Sequence, residues 1–178
     1  MLVILAMAAL VLAPPAYADS GQSVSITSHL HSSNDLVPDT ATCALHDNIS
    51  GTALKAAGHV RGVDPTDNYR GTGSIWMCLY AMPDGSLFSA GKTVDQVSIT
   101  GCGDGTLSYT FSGPISAPDP LTGHRTTDIR FTVIPGSGTE DLKGITGTAT
   151  SVGDIDPELN EDALFTGTLH CKDKDKDK

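Results

Sequence analysis

The chain has 178 residues and a formal net charge of −10, from 11 Lys plus Arg against 21 Asp plus Glu. That length suits one domain, and an acidic chain without a basic patch argues against nucleic acid as a partner. Leu2 to Leu12 is apolar and uncharged, and Pro14-Pro15 and Ala16-Tyr17-Ala18 follow before Asp19. A short apolar core ending in a small-x-small site predicts a secretory signal peptide over residues 1–18, too short to stay as a membrane span. Its n-region, Met1 to Val3, lacks the usual Lys or Arg. The expected domain is then residues 19–171, secreted and extracellular, with a disordered Lys/Asp tail at 172–178.

Helix signals are nearly absent, and strand signals recur between Gly, Pro, Asp and Asn clusters. Gln22 to His31 alternates, with Val24, Ile26 and Leu30 on one face. Thr52 to Val63 reads as a second, weakly apolar strand. Thr72 to Met82 is a third, apolar on both faces: Ile75, Met77 and Leu79 on one, Trp76, Cys78 and Tyr80 on the other. Pro83-Asp84-Gly85 is a tight-turn signature. Ser86 to Thr100 predicts a fourth strand, with Gly91 as a bulge or bend. After the Gly101 to Gly105 turn, Leu107, Tyr109 and Phe111 alternate in a fifth. A proline-containing loop, Gly113 to His124, leads to a sixth that turns Ile129, Phe131 and Val133 inward. Ile145 to Val152 is the seventh, Gly153 to Asp162 an acidic loop, and Ala163 to Cys171 the eighth. Eight short-spaced strands predict an all-β fold, an eight-stranded antiparallel up-and-down barrel that can enclose one small ligand.

Cys43, Cys78, Cys102 and Cys171 make an even number in a chain read as exported, which predicts two disulfides. Three connectivities are open. Barrel closure makes the first and last strands neighbours and favours Cys43 with Cys171. No Cys-x-x-Cys pair occurs. His29 and His31 share a strand face but lack a visible third ligand, and the acidic loop reads as a solvated surface, so no metal and no cofactor are expected. Asn48-Ile49-Ser50 is a glycosylation sequon, of consequence only in a eukaryotic host.

Leu79-Tyr80-Ala81-Met82-Pro83-Asp84-Gly85-Ser86 resembles the central hairpin of a family of small, mainly bacterial barrel proteins. Phe131-Thr132-Val133-Ile134-Pro135-Gly136-Ser137-Gly138-Thr139 looks like that family's hallmark, continued by Leu142-Lys143-Gly144-Ile145-Thr146-Gly147. Gly71-Thr72-Gly73-Ser74 matches its glycine-rich strand start. These proteins are similar to the allene oxide cyclase-like barrels, relatives of the calycin and dirigent-type folds. The resemblance covers residues 52–169 and implies a barrel, with Gly136 and Gly138 turning the chain at its rim.

Trp76, Tyr80, Tyr109, Phe111 and Phe131 are the candidate lining of a cavity for a small apolar ligand. The sequence therefore predicts a secreted barrel that binds such a molecule in its lumen. A cofactor-independent cyclase or isomerase, implied by the resemblance, is an alternative, and an extracellular structural or interaction protein with a filled barrel is another. The oligomeric state stays open.

Overall fold

The computed structural model describes residues 21–32 and 36–172. The signal peptide read over residues 1–18 and all but the first residue of the Lys/Asp tail lie outside the described residues. Among the described residues nine strands form one antiparallel sheet: β1 (Gln22–Ser32), β2 (Val37–Pro38), β3 (Thr52–Arg61), β4 (Tyr69–Ala81), β5 (Leu87–Ile99), β6 (Gly103–Ile115), β7 (Arg125–Val133), β8 (Thr146–Ile155) and β9 (Glu161–Cys171). From β3 to β9 each strand pairs with its chain neighbour, and β9 pairs with β1. The sheet closes where β1 meets the second half of β3, at Leu30 with Arg61 and His31 with Val60. The two-residue β2 covers the first half of β3. The result is a closed barrel of eight long strands with β2 as a seam patch. Beyond the Leu30–Arg61 and His31–Val60 pairs the free side of β1 is partly covered by the β3–β4 loop, where the Asn68 side chain accepts from the Thr27 amide and donates to the Ser25 carbonyl, each at 2.8 Å. No helix among the described residues is long and apolar enough to cross a membrane.

Alternation decides which residues face the lumen. On β1 the inward set is Val24, Ile26, Ser28 and Leu30, and on β7 it is Thr127, Ile129, Phe131 and Val133. Tyr69, Tyr109, Phe131 and Phe165 meet mid-barrel. The Phe165 ring centre lies 5.2 Å from Phe131 and 6.0 Å from Tyr109, both edge to face, the geometry that aromatic quadrupoles favour.

One end of the barrel is shut by the β7–β8 connection. Residues 134–145 fold back and carry a 3-10 turn, Glu140–Leu142, whose Leu142 is fully buried. Two hydroxyls stitch this connection to β6: the Thr106 amide donates to Thr139 Oγ1 at 2.9 Å, and the Ser108 amide to Ser137 Oγ at 3.1 Å. Gly136 turns at φ +75°. A β-carbon on Gly138 would run into the Leu142 carbonyl oxygen. The glycines of Pro135 to Thr139 therefore build a stopper rather than a binding loop.

The disulfides are Cys43–Cys78, with Cα atoms 5.7 Å apart, and Cys102–Cys171, at 5.5 Å. This corrects the expected Cys43–Cys171 pairing. Cys43 sits in the connection between β2 and β3, which lies over the outer face of β4, so Cys78 is its neighbour. Cys171 ends β9 at the shut end, beside the β5–β6 turn that carries Cys102. A second correction concerns Gly91. The β4–β5 and β5–β6 registers run unbroken through it. Its missing side chain makes room for the Phe111 ring, whose Cζ would lie 2.9 Å from a β-carbon there. The register shift occurs instead in β3, between Ala57 and His59.

Candidate functional site: the barrel lumen

The end opposite the Leu142 stopper is open. The β4–β5 turn, the loop before β7, the β8–β9 turn and Leu36 ahead of β2 surround its mouth. Below them lies a cavity of about 310 Å³. Its walls are apolar, with Leu54, Ile75, Met77, Leu79, Phe111 and Ile115 among them, and its floor is polar.

Asp95 organises that floor. It stands on β5 in the inward series with Val97 and Ile99 and has no exposure. Arg61 Nε donates to Asp95 Oδ2 at 2.8 Å and the Tyr69 hydroxyl to the same oxygen at 3.0 Å. His59 Nε2 lies 3.0 Å from Oδ1, and the Thr93 hydroxyl donates to that oxygen as well. An ionised carboxylate only accepts, so His59 carries its proton on Nε2. Burial alone would raise the Asp95 carboxyl. The Arg61 charge beside it, with the His59 and Thr93 hydrogen bonds, outweighs burial and holds it far below the usual carboxylate range. In Arg61, too, burial works against the charge and Asp95 overcomes it. The Tyr69 hydroxyl is pushed well up by burial, then by the Asp95 charge.

The Arg61 guanidinium also lies over aromatic rings, 4.1 Å from the Phe165 centroid and 5.6 Å from Phe131, which suits a desolvated cation. Higher on the wall, Glu161 accepts from the Thr127 hydroxyl at 3.1 Å. Burial pushes its carboxyl above the ordinary value, against the opposing pull of Thr127, Arg61 and His59.

The five aromatic candidates separate by strand face. Phe111 and Phe131 line the cavity, and Tyr109 lies beneath it in the core. Trp76 and Tyr80 are corrections: both point out of the barrel. Ile75, Met77 and Leu79 occupy the inward face of β4, so the even positions beside them face outward. Trp76 is 41% exposed. Tyr80 is buried against the outer strap, where its hydroxyl donates to the Ala44 carbonyl at 2.9 Å and its ring faces His46. The second apolar face of β4 is thus covered in part by the strap that Cys43–Cys78 pins down.

Residue-level reading missed His59, Arg61, Thr93, Asp95 and Glu161. For Asp95 a signal was present: a carboxylate two and four residues from Val97 and Ile99 shares their buried face. For His59 and Arg61 the β3 register shift hid it, because alternation counted from Thr52 changes face at the irregularity.

His29 and His31 face outward. His29 Nδ1 lies 2.9 Å from Asp67 Oδ1, and His31 Nδ1 is 2.7 Å from Asp162. Asp64 and Asp67 gather beside His29. The Asp67 carboxylate, however, already accepts from the amides of His29 and Asp64. The cluster is a hydrogen-bonded latch on the β3–β4 loop. In the acidic β8–β9 loop, Asp156 accepts from the Asn160 amide and side chain, both at 2.8 Å, and Asp154, near the end of β8, pairs with His124. Asn48 sits exposed on a turn at φ +64°.

No protein-family model matches the chain, and no curated protein matches it. Its chemistry therefore has to be read from the lumen.

Proposed function

We propose that this chain is a secreted barrel that binds a small apolar molecule in its lumen. The observation that carries the reading is the open cavity of about 310 Å³ with apolar walls and a polar floor. Pockets for small ligands have this make-up: mostly apolar surface with a few fixed polar groups. Two disulfides support an oxidising compartment, where such bonds persist. A cavity of this volume counts against the filled, purely structural barrel. The test is titration with the fluorescent apolar probe N-phenylnaphthylamine, beside native mass spectrometry of protein from its host. Saturable one-to-one binding, lost when Met77→Trp fills the lumen, is expected. No binding to the unmodified protein, together with a bare-chain mass, overturns the reading.

A second reading is a cofactor-independent cyclase or isomerase of the type that the allene oxide cyclase-like resemblance implies. The converging polar groups of the floor favour it, since a lumen that holds a reactive polyene or epoxide in one folded shape removes much of the entropic barrier to ring closure. Incubation with an unsaturated fatty epoxide, followed by chromatography of the products, tests it. Product ratios equal to the protein-free control exclude it.

A further inference from the structure

We infer that the lumen selects a neutral, oxygen-bearing apolar molecule, such as a ketone, lactone or ether, whose oxygen accepts hydrogen bonds from Arg61 and Ser151. The inference rests on the lumen-binding reading above and adds the class of ligand. Its starting point is a pair of unmet polar atoms. Arg61 gives Nε to Asp95, yet its Nη1 is buried with no partner. The Ser151 hydroxyl is buried with no partner as well. Both residues line the cavity, and they are only 3% and 2% exposed. Ser151 pairs across the sheet with Phe165, the ring under the Arg61 guanidinium. Two unmet hydrogen-bonding groups thus flank one aromatic at the cavity floor. Buried donors are costly to leave unpaired, so an acceptor arriving there gains more than its apolar body alone supplies.

Charge decides what kind of acceptor. The Arg61 cation is already matched by Asp95, which has no exposure and takes four hydrogen-bond partners. A ligand carboxylate at Arg61 would bring a second anion into the same poorly screened floor, below the Glu161 carboxyl, and among the described residues no second Lys or Arg is buried there to meet it. Arg125 also lines the cavity, but its Nη1 is given to the carbonyls of Ser116 and Gly85 near the mouth, at 2.8 and 3.2 Å. A ligand cation would face Arg61 directly. A neutral oxygen avoids both penalties. Size narrows the class further: a cavity of ~150 Å³ holds benzene, so this one accepts a body of about a dozen non-hydrogen atoms.

The test compares three probes of one chain length, decane, decanone and decanoate, each displacing N-phenylnaphthylamine from the intact disulfide-bonded protein at pH 8. The expected order places decanone about tenfold or more ahead of decane, as suits a hydrogen bond to a charged donor, with decanoate weaker than decanone. Ser151→Ala, a change with little steric demand, should lower decanone affinity several-fold and leave decane unchanged. On the unmodified protein, the Arg61 Nη proton resonances should shift with decanone and stay still with decane. Equal affinity for decane and decanone, or a structure in which one water satisfies both Arg61 and Ser151 while decanone lies elsewhere, overturns the inference and leaves lumen binding standing. Decanoate as the tightest probe overturns the preference for a neutral oxygen. Failure of all three to bind overturns the lumen-binding reading together with the inference.

Discussion

At the scale of single residues, the floor of the lumen depends on positions with little tolerance. Gly73 on β4 stands opposite Asp95, and a β-carbon there would fall inside contact distance of both Asp95 Oδ1 and His59 Nε2. Gly73→Ala therefore forces the His59–Asp95 pair apart. It is expected to cost about 1–3 kcal/mol, the usual range for overpacking, measured by urea unfolding, and to weaken ligand binding along with stability. Glu161 makes a pH-dependent prediction. Burial raises its folded pKa above the unfolded value, so the folded state holds that proton more tightly. The stability it contributes is fully present below ~4.3, the ordinary value, and is lost as pH rises through the folded value. Glu161→Gln keeps the group neutral. Its melting temperature relative to the unmodified protein should therefore climb by a few degrees between pH 4 and pH 8. A constant difference across that range would mean that Glu161 titrates normally. Asp95 runs the other way: its depressed pKa contributes stability above the unfolded value of ~3.9 that is lost as pH falls below it.

At the scale of elements, strands were legible and faces only partly so. All eight long strands follow from alternation and turn residues, because a half-buried strand repeats every two residues and its ends need Gly, Pro or Asp. The inward faces of β1, β6 and β7 read correctly for the same reason. On β4 the rule carried no information, since both faces are apolar: one lines the lumen, and the other lies partly under the strap held by Cys43–Cys78 and by the stacked rings of His46 and Phe88, 3.9 Å apart. No local pattern separates those two kinds of cover. The β7–β8 connection is the element with the most specific prediction. Leu142 has no exposure and seals the shut end. Leu142→Ala should cost about 2–5 kcal/mol, as buried leucine truncations do, read by chemical denaturation. The open end, some distance along the barrel, should keep its probe affinity. Loss of binding in a still-folded Leu142→Ala protein would show that the two ends are coupled.

At the scale of the whole molecule, one covalent link joins the last strand to the turn between β5 and β6. Cys102 and Cys171 lie 69 residues apart in sequence, and Cys43 and Cys78 lie 35 apart. Replacing Cys102 and Cys171 by Ser should destabilise by about 2–5 kcal/mol, seen as a lowered melting temperature. The matching change at Cys43 and Cys78 should chiefly free the outer strap, detected as faster amide exchange confined to residues 39–51. Equal, global exchange in both variants would contradict this division. The amino-acid sequence by itself determined the all-β class, the number and approximate places of the long strands, the presence of two disulfides and the role of Pro135 to Thr139 as a rim turn, while β6 and β8 run two or three residues further into the expected loops. Those are consequences of local periodicity and backbone preference. Only the tertiary structure decided which cysteines pair, which face of β4 meets the lumen, and that His59, Arg61, Tyr69 and Asp95 converge on one floor. These depend on barrel closure, on the β3 register shift and on contacts distant in sequence, 36 positions for His59 with Asp95 and 69 for Cys102 with Cys171. Hydrogen bonds between strands that close a barrel leave no trace in the order of residues along any one of them.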